Sequence, residues 1–86
     1  MQIIWNRHSK QRFAERAAMH GINYAEIELR IKKQEVKIKQ EKNKYKTVFK
    51  IQNILLTVVK AETLKYIHVL TLWEANEQEV ELWRKK

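Results

Sequence analysis

Between Glu35 and Ile51 the chain reads EVKIKQEKNKYKTVFKI, with polar and apolar residues alternating on both sides of a break at Glu41-Lys42-Asn43-Lys44. Alternation has a period of two, which suits a strand and not a helix. Two such runs around a short polar break predict an antiparallel hairpin. Unbroken alternation assigns Val36, Ile38, Tyr45, Thr47, Phe49 and Ile51 to one face. It assigns Lys37, Lys39, Lys44, Lys46 and Lys50, with Val48 among them, to the other. Like charges on neighbouring strands repel and cost stability. Either that face meets a polyanion, or it is a solvated wall whose lysines discourage edge-to-edge pairing.

Placement of charge carries more information than its total. The net charge is +8, and nine of the 18 basic residues lie between Arg30 and Lys50, opposed only by Glu35 and Glu41. Clustered cations favour phosphate, because each neutralised phosphate releases counterions. An acidic protein and an anionic membrane surface are the other candidate polyanions, and no amphipathic helix with a large apolar face argues for the membrane. At 86 residues and 44% apolar content, the chain suits a single domain spanning 1–86. No apolar run reaches membrane-spanning length and no signal-peptide pattern opens the chain, so a cytoplasmic location is expected. Cysteine is absent, which leaves neither disulfides nor thiolate zinc ligands.

The remaining elements follow in order. Gln2–Trp5 is a brief apolar segment suited to a sheet edge. A helix is expected from Arg7 to about Met19, capped by Asn6 or Ser9, with Gly21 at the left-handed position after it. At 100° per residue, Phe13, Ala14, Ala17 and Ala18 fall within an arc of about 140° that faces the core. His8, Arg12 and Arg16 form an (i, i+4, i+8) row along another side. Asn23 and Glu26 have capping-box spacing and open a second helix with Tyr24, Ile27 and Ile31 as its buried stripe, helped by Leu29. After the hairpin, Ile54–Lys60 and Lys65–Trp73 read as strands that are apolar on both faces, hence central. Asn76 and Glu79 repeat the capping-box spacing before a C-terminal helix docked by Val80, Leu82 and Trp83; a terminal strand competes, since Val80 and Leu82 also alternate.

Few residues can carry chemistry. There is no Gly-rich phosphate loop and no serine in a nucleophile turn, and the spacing of His8, His20 and His68 does not predict a metal site, so no cofactor is expected. Cleavage of RNA without a metal needs a base for the 2′-hydroxyl proton, cations on the phosphate and an acid for the leaving oxygen. His8, Arg12, Glu15, Arg16, His68 and the hairpin lysines contain such groups. Each also has a plainer role, as a solvated helix residue (His8, Arg12, Arg16) or a hydrogen-bonded sheet residue (His68). Tyr45 suits either base stacking or the core.

The opening IIWNRHSKQRFAERAAMHGINYAEI resembles the BrnT toxins through Trp5-Asn6, His20-Gly21-Ile22 and Tyr24-Ala25. The close YIHVLTLWEANEQEVELW is similar to that family's last strand and terminal helix, with Ala75, Glu79 and Trp83 in the matching places. His8-x-x-x-Arg12-x-x-x-Arg16 also resembles the start of a RelE-related family of unassigned function. The resemblance implies an α+β, RelE/ParE-like fold. With the elements above, that means two N-terminal helices packed on a mainly antiparallel four-stranded sheet, and a short C-terminal helix. It further implies a type II toxin-like endoribonuclease that cuts RNA, including ribosome-associated mRNA, without metal and is neutralised by a cognate antitoxin protein. Two positions depart from the family pattern: Thr71-Leu72-Trp73 stands where the family has Ser-Ala-Arg, and Lys44 or Lys46 replaces an arginine. Lysine lacks the planar fork that holds phosphate bidentately. A non-catalytic nucleic-acid-binding protein of the same fold and a protein-interaction subunit with a basic face are the alternatives.

Overall fold

A computed structural model describes residues 2–86. In chain order the elements are β1 (Gln2–Trp5), α1 (Arg7–Arg16), a 3-10 turn (Ala18–His20), α2 (Tyr24–Lys33), β2 (Lys37–Glu41), β3 (Lys44–Ile51), β4 (Ile54–Glu62), β5 (Tyr66–Glu74) and α3 (Glu77–Arg84). The class is α+β, as expected, but the sheet has five strands rather than four, in the order β1-β5-β4-β3-β2. It is also mixed. β2 to β5 pair antiparallel, while β1 runs parallel to β5. No described helix is long and apolar enough to cross a membrane.

Local chemistry fixes where the helices begin. Asn6, Asn23 and Asn76 each accept from the backbone N–H three residues on, and Ser9, Glu26 and Glu79 each accept from the backbone N–H of the capping asparagine. These reciprocal bonds satisfy donors that a helix start would otherwise leave open. The third box decides between helix and strand at the C-terminus. The first helix ends at Arg16, short of the expected Met19, and the chain continues as the 3-10 turn, which Gly21 closes at φ 75°. A Cβ at Gly21 would meet nothing within 4 Å, so its substitution carries only the left-handed backbone penalty. Gly21→Ala is expected to cost about 1 kcal/mol, read as a fall in Tm of roughly 5 °C.

The main core lies between α1, α2 and one face of the sheet, the inner face. Phe13, Ala17, Ile22, Ile27 and Ile31 pack there against Phe49, Ile51, Leu56, Val58, Ile67, Val69 and Leu72. Trp5 joins from β1 and donates its indole N–H to Glu28 at 2.8 Å, which ties the edge strand to α2. The buried helix stripes are narrower than expected. Ala14 and Ala18 are exposed, as are Tyr24 and Leu29. The physical reason is the position of α1. β1 ends where Trp5 pairs with Val69, yet β5 continues to Glu74. α1 packs on β5, and on that account lies along this free stretch of edge rather than across the sheet, so only Phe13, Ala17 and Ser9 turn inward.

The hairpin corrects the two faces read from alternation. β2 and β3 pair Lys37 with Thr47, Ile38 with Lys46 and Lys39 with Tyr45, but Glu41 with Lys44; the register shifts by one at Gln40. Residues directly opposite one another share a face. Lys37 and Lys39 therefore lie on the inner-face side with Tyr45 and Thr47, whereas Lys44, Lys46 and Lys50 lie on the opposite, outer face with Ile38 and Val48. One extra residue in a bulge exchanges the faces of everything beyond it. Without the shift Lys39 would face Lys46. With it, each lysine of β2 faces an uncharged residue, and Lys37 Nζ sits 4.2 Å from the centroid of the Tyr45 ring. The like-charge repulsion is avoided rather than tolerated, and the single lysine wall is not formed.

Candidate functional site

α3 covers one end of the outer face, and Glu79 anchors it there. Leu82, expected to dock the helix, is 42% exposed, while Glu79 is 1% exposed. Glu79 Oε1 accepts from Thr57 Oγ1, Trp73 Nε1 and the Asn76 backbone N–H, each at 2.9 Å. Lys46 Nζ lies 3.1 Å from Oε2 as an ion pair rather than an aligned hydrogen bond. Burial alone would raise the carboxyl. The Asn76 N–H, the indole, the hydroxyl and the ammonium together outweigh it and hold Glu79 below the ordinary carboxylate range. The charge of Lys46 is thereby largely taken up within the protein.

Beyond α3 the outer face is open, and strand pairing gives its layout. Across the sheet, Lys46, Val59 and Thr71 form one row, and Lys44, Ala61, His68 and Ile4 form the next. β5 carries a second register shift at Leu70, so Thr71 and His68 oppose Val59 and Ala61 and are neighbouring positions on the same face. Such neighbours are about 7 Å apart.

α1 completes the site from the edge. Because it follows β1 directly, its His8-Arg12-Arg16 row reaches the part of β5 that β1 leaves unpaired. His8 Nε2 and Thr71 Oγ1 lie 3.2 Å apart, the donor set by the imidazole tautomer. Arg12 and Arg16 line a groove of about 320 Å³ with Thr71, Leu72 and Trp73. Arg12 Nη1 is 3.7 Å from Glu15 Oε1, while Arg16 is exposed. Two guanidiniums and a hydroxyl thus share one groove, with the His8 imidazole beside that hydroxyl and His68 one same-face step away. Guanidiniums in a groove suit a phosphate, and imidazoles suit proton transfer near neutral pH.

The expected site residues separate into two groups. His8, Arg12 and Arg16 come together around the open end of β5, and His68 lies one same-face step away, in the stretch paired with β1. Of the lysines, Lys44, Lys46 and Lys50 share the outer face, and Lys37 and Lys39 are removed from it by the bulge. Lys37 is instead held 3.0 Å from Glu62, whose other oxygen is 2.8 Å from the fully buried Lys60. Burial pushes Glu62 upward, but Lys60 and Lys37 more than compensate and leave it below its usual value. Sequence reasoning missed three residues: Thr71, Glu79 as an ion-pair partner, and Lys60. Lys60 and Glu62 did leave a signal, as opposite charges two apart at the end of an apolar strand. Among the described residues no three His, Asp or Glu side chains converge as metal ligands would. No known family, curated protein or solved structure matches the chain.

Proposed function

We propose that this protein is a toxin-like endoribonuclease that cleaves single-stranded RNA without a metal and is neutralised by a cognate antitoxin. The observation that carries the proposal is the His8-Arg12-Arg16 row set along the unpaired edge of β5, with His8 3.2 Å from Thr71. Arg12 and Arg16 grip the scissile phosphate and stabilise the charge that develops on it. One imidazole of the His8–His68 pair removes the 2′-hydroxyl proton, and the 2′-oxygen attacks phosphorus. The bond to the 5′-oxygen breaks, and the other imidazole, in its protonated form, supplies a proton to that oxygen. The products are a 2′,3′-cyclic phosphate and a 5′-hydroxyl end. Thr71 orients His8 and is a positioning residue.

The test is purified protein on labelled single-stranded RNA in excess chelator. Cyclic-phosphate fragments are expected, and His8→Ala is expected to lower the rate by about 10²-fold or more. RNA left intact under every condition would reject cleavage. The second reading is then binding without chemistry, and one feature favours it: strand β3 offers lysine rather than arginine, and Lys46 already faces Glu79. Binding that weakens steeply with salt, with no fragments, selects that reading.

A further inference from the structure

A second concavity lies at the far end of the same strand, away from the arginine groove. It measures about 650 Å³ and is lined by Asn43, Tyr45, Glu62, Leu64, Lys65 and Tyr66. That volume is within the range of small-molecule sites. Its walls are the tips of two hairpins, β2–β3 and β4–β5. The Tyr66 ring, on the outer-face side, and the 98% exposed Leu64 supply apolar surface, the Tyr45 ring closes the inner-face side with Lys37 over one of its faces, Asn43 offers both a donor and an acceptor, and Lys65 adds a cation. Tyr66 is 38% exposed, and its ring meets that of His68 edge-on, with centroids 5.9 Å apart at 68°. The one acid, Glu62, lies between the ammoniums of Lys37 and Lys60, so it does not make the site repellent to an anion.

Position along β5 decides what this concavity would take. Thr71, His68 and Tyr66 are successive same-face positions, so the line from the arginine groove to the Tyr66 ring is about 13 Å long. An aromatic ring, an imidazole and a pair of guanidiniums in one file suit a chain whose bases and phosphates alternate. We infer that the Tyr45–Tyr66 concavity is a base-binding subsite for single-stranded RNA, holding an unstacked base while Arg12 and Arg16 hold a phosphate further along the strand. This rests on the RNA reading above and extends it. A base inserted there stacks on a phenol face, and its edge can bond to Asn43; neither contact is available to a base paired in a duplex.

The test measures affinity, not cleavage, for a short unstructured RNA oligonucleotide by fluorescence anisotropy. Tyr66→Ala is expected to weaken binding about 5- to 100-fold, and Tyr66→Phe to retain it, since stacking needs the ring and not the hydroxyl. Leu64→Asp, at a site too exposed to disturb folding, is expected to weaken it by placing an anion at the rim. If Tyr66→Ala and Leu64→Asp bind like the wild type while Arg16→Ala binds weakly, the subsite is overturned and the RNA reading stands. If Tyr66→Phe loses as much as Tyr66→Ala, stacking is overturned. If the wild type binds no RNA at any salt concentration, both fall.

Discussion

Glu79→Ala is expected to destabilise the protein by about 3 kcal/mol, seen as a fall in Tm of roughly 15 °C. One substitution removes the carboxylate half of the capping box of α3, leaves Thr57 and the Trp73 indole without their acceptor, and strands the Lys46 ammonium. The loss is at the lower end of the range for a broken buried pair, because the Lys46 side chain is 22% exposed and water can partly replace its partner. Glu79→Gln keeps an acceptor for the cap, the hydroxyl and the indole but removes the charge, and is expected to cost about 1–2 kcal/mol. Acid sorts the two effects. The folded pKa of Glu79 lies below the ordinary glutamate value of 4.5, so its charge contributes stability that is complete above about 4.5 and lost as pH falls through the folded value. Denaturation of wild type and Glu79→Gln should therefore differ by a constant amount near neutrality and converge below 4.5. A difference unchanged into strong acid would mean that the ion pair contributes nothing.

The double substitution Arg12→Ala, Arg16→Ala is expected to lower RNA cleavage by about 10²–10³-fold, the scale for losing preorganised charge at a developing oxyanion. Binding gives an independent reading. If each guanidinium neutralises one phosphate of a single strand, the slope of log K against log salt should become shallower by about 1.4. Both residues sit on the exposed side of α1, away from the Phe13–Ala17 stripe, so the fold is expected to survive, with an unchanged circular dichroism spectrum as the check. Lys39→Ala provides the contrast. Even alternation puts Lys39 beside Lys46; the bulge puts it on the other side of the sheet, and affinity is expected to stay within about twofold. An effect of Lys39→Ala equal to that of the arginines would mean that the hairpin register differs from the one described.

What could be read from the residues was local, and what could not was relational. Asn6, Asn23 and Asn76 announced their helices because a cap needs only a side chain and a backbone amide three residues on. The period-two runs announced β2 and β3 for the same reason. The faces of the hairpin could not be read off, because they depend on Gln40 being the residue without a partner, a choice settled between strands by keeping Lys39 from Lys46 and placing Lys37 over Tyr45. The (i, i+4, i+8) row of His8, Arg12 and Arg16 follows from helix geometry alone. Its meeting with Thr71 needed α1 to lie along the edge of β5, which follows only once β1 is known to stop at Trp5, opposite Val69. Glu79 was legible as a cap and illegible as the partner of Lys46, since that contact joins α3 to a strand on the far side of β4.

The pairing of Gln2–Trp5 with Tyr66–Val69 also bears on the birth of the protein. A ribosome delivers the first strand long before the one that will hold it, and the antiparallel ribbons of β2 to β4 can zip while that first strand still waits. Since α1 follows β1 without a linker and rests on β5, the row of His8, Arg12 and Arg16 reaches its groove only after the last strand has emerged. The groove thus forms only once β5 is made, by joining β1 and α1 to a strand some sixty residues further along the chain, and a polypeptide lacking β5 would carry the arginines without the surface they line.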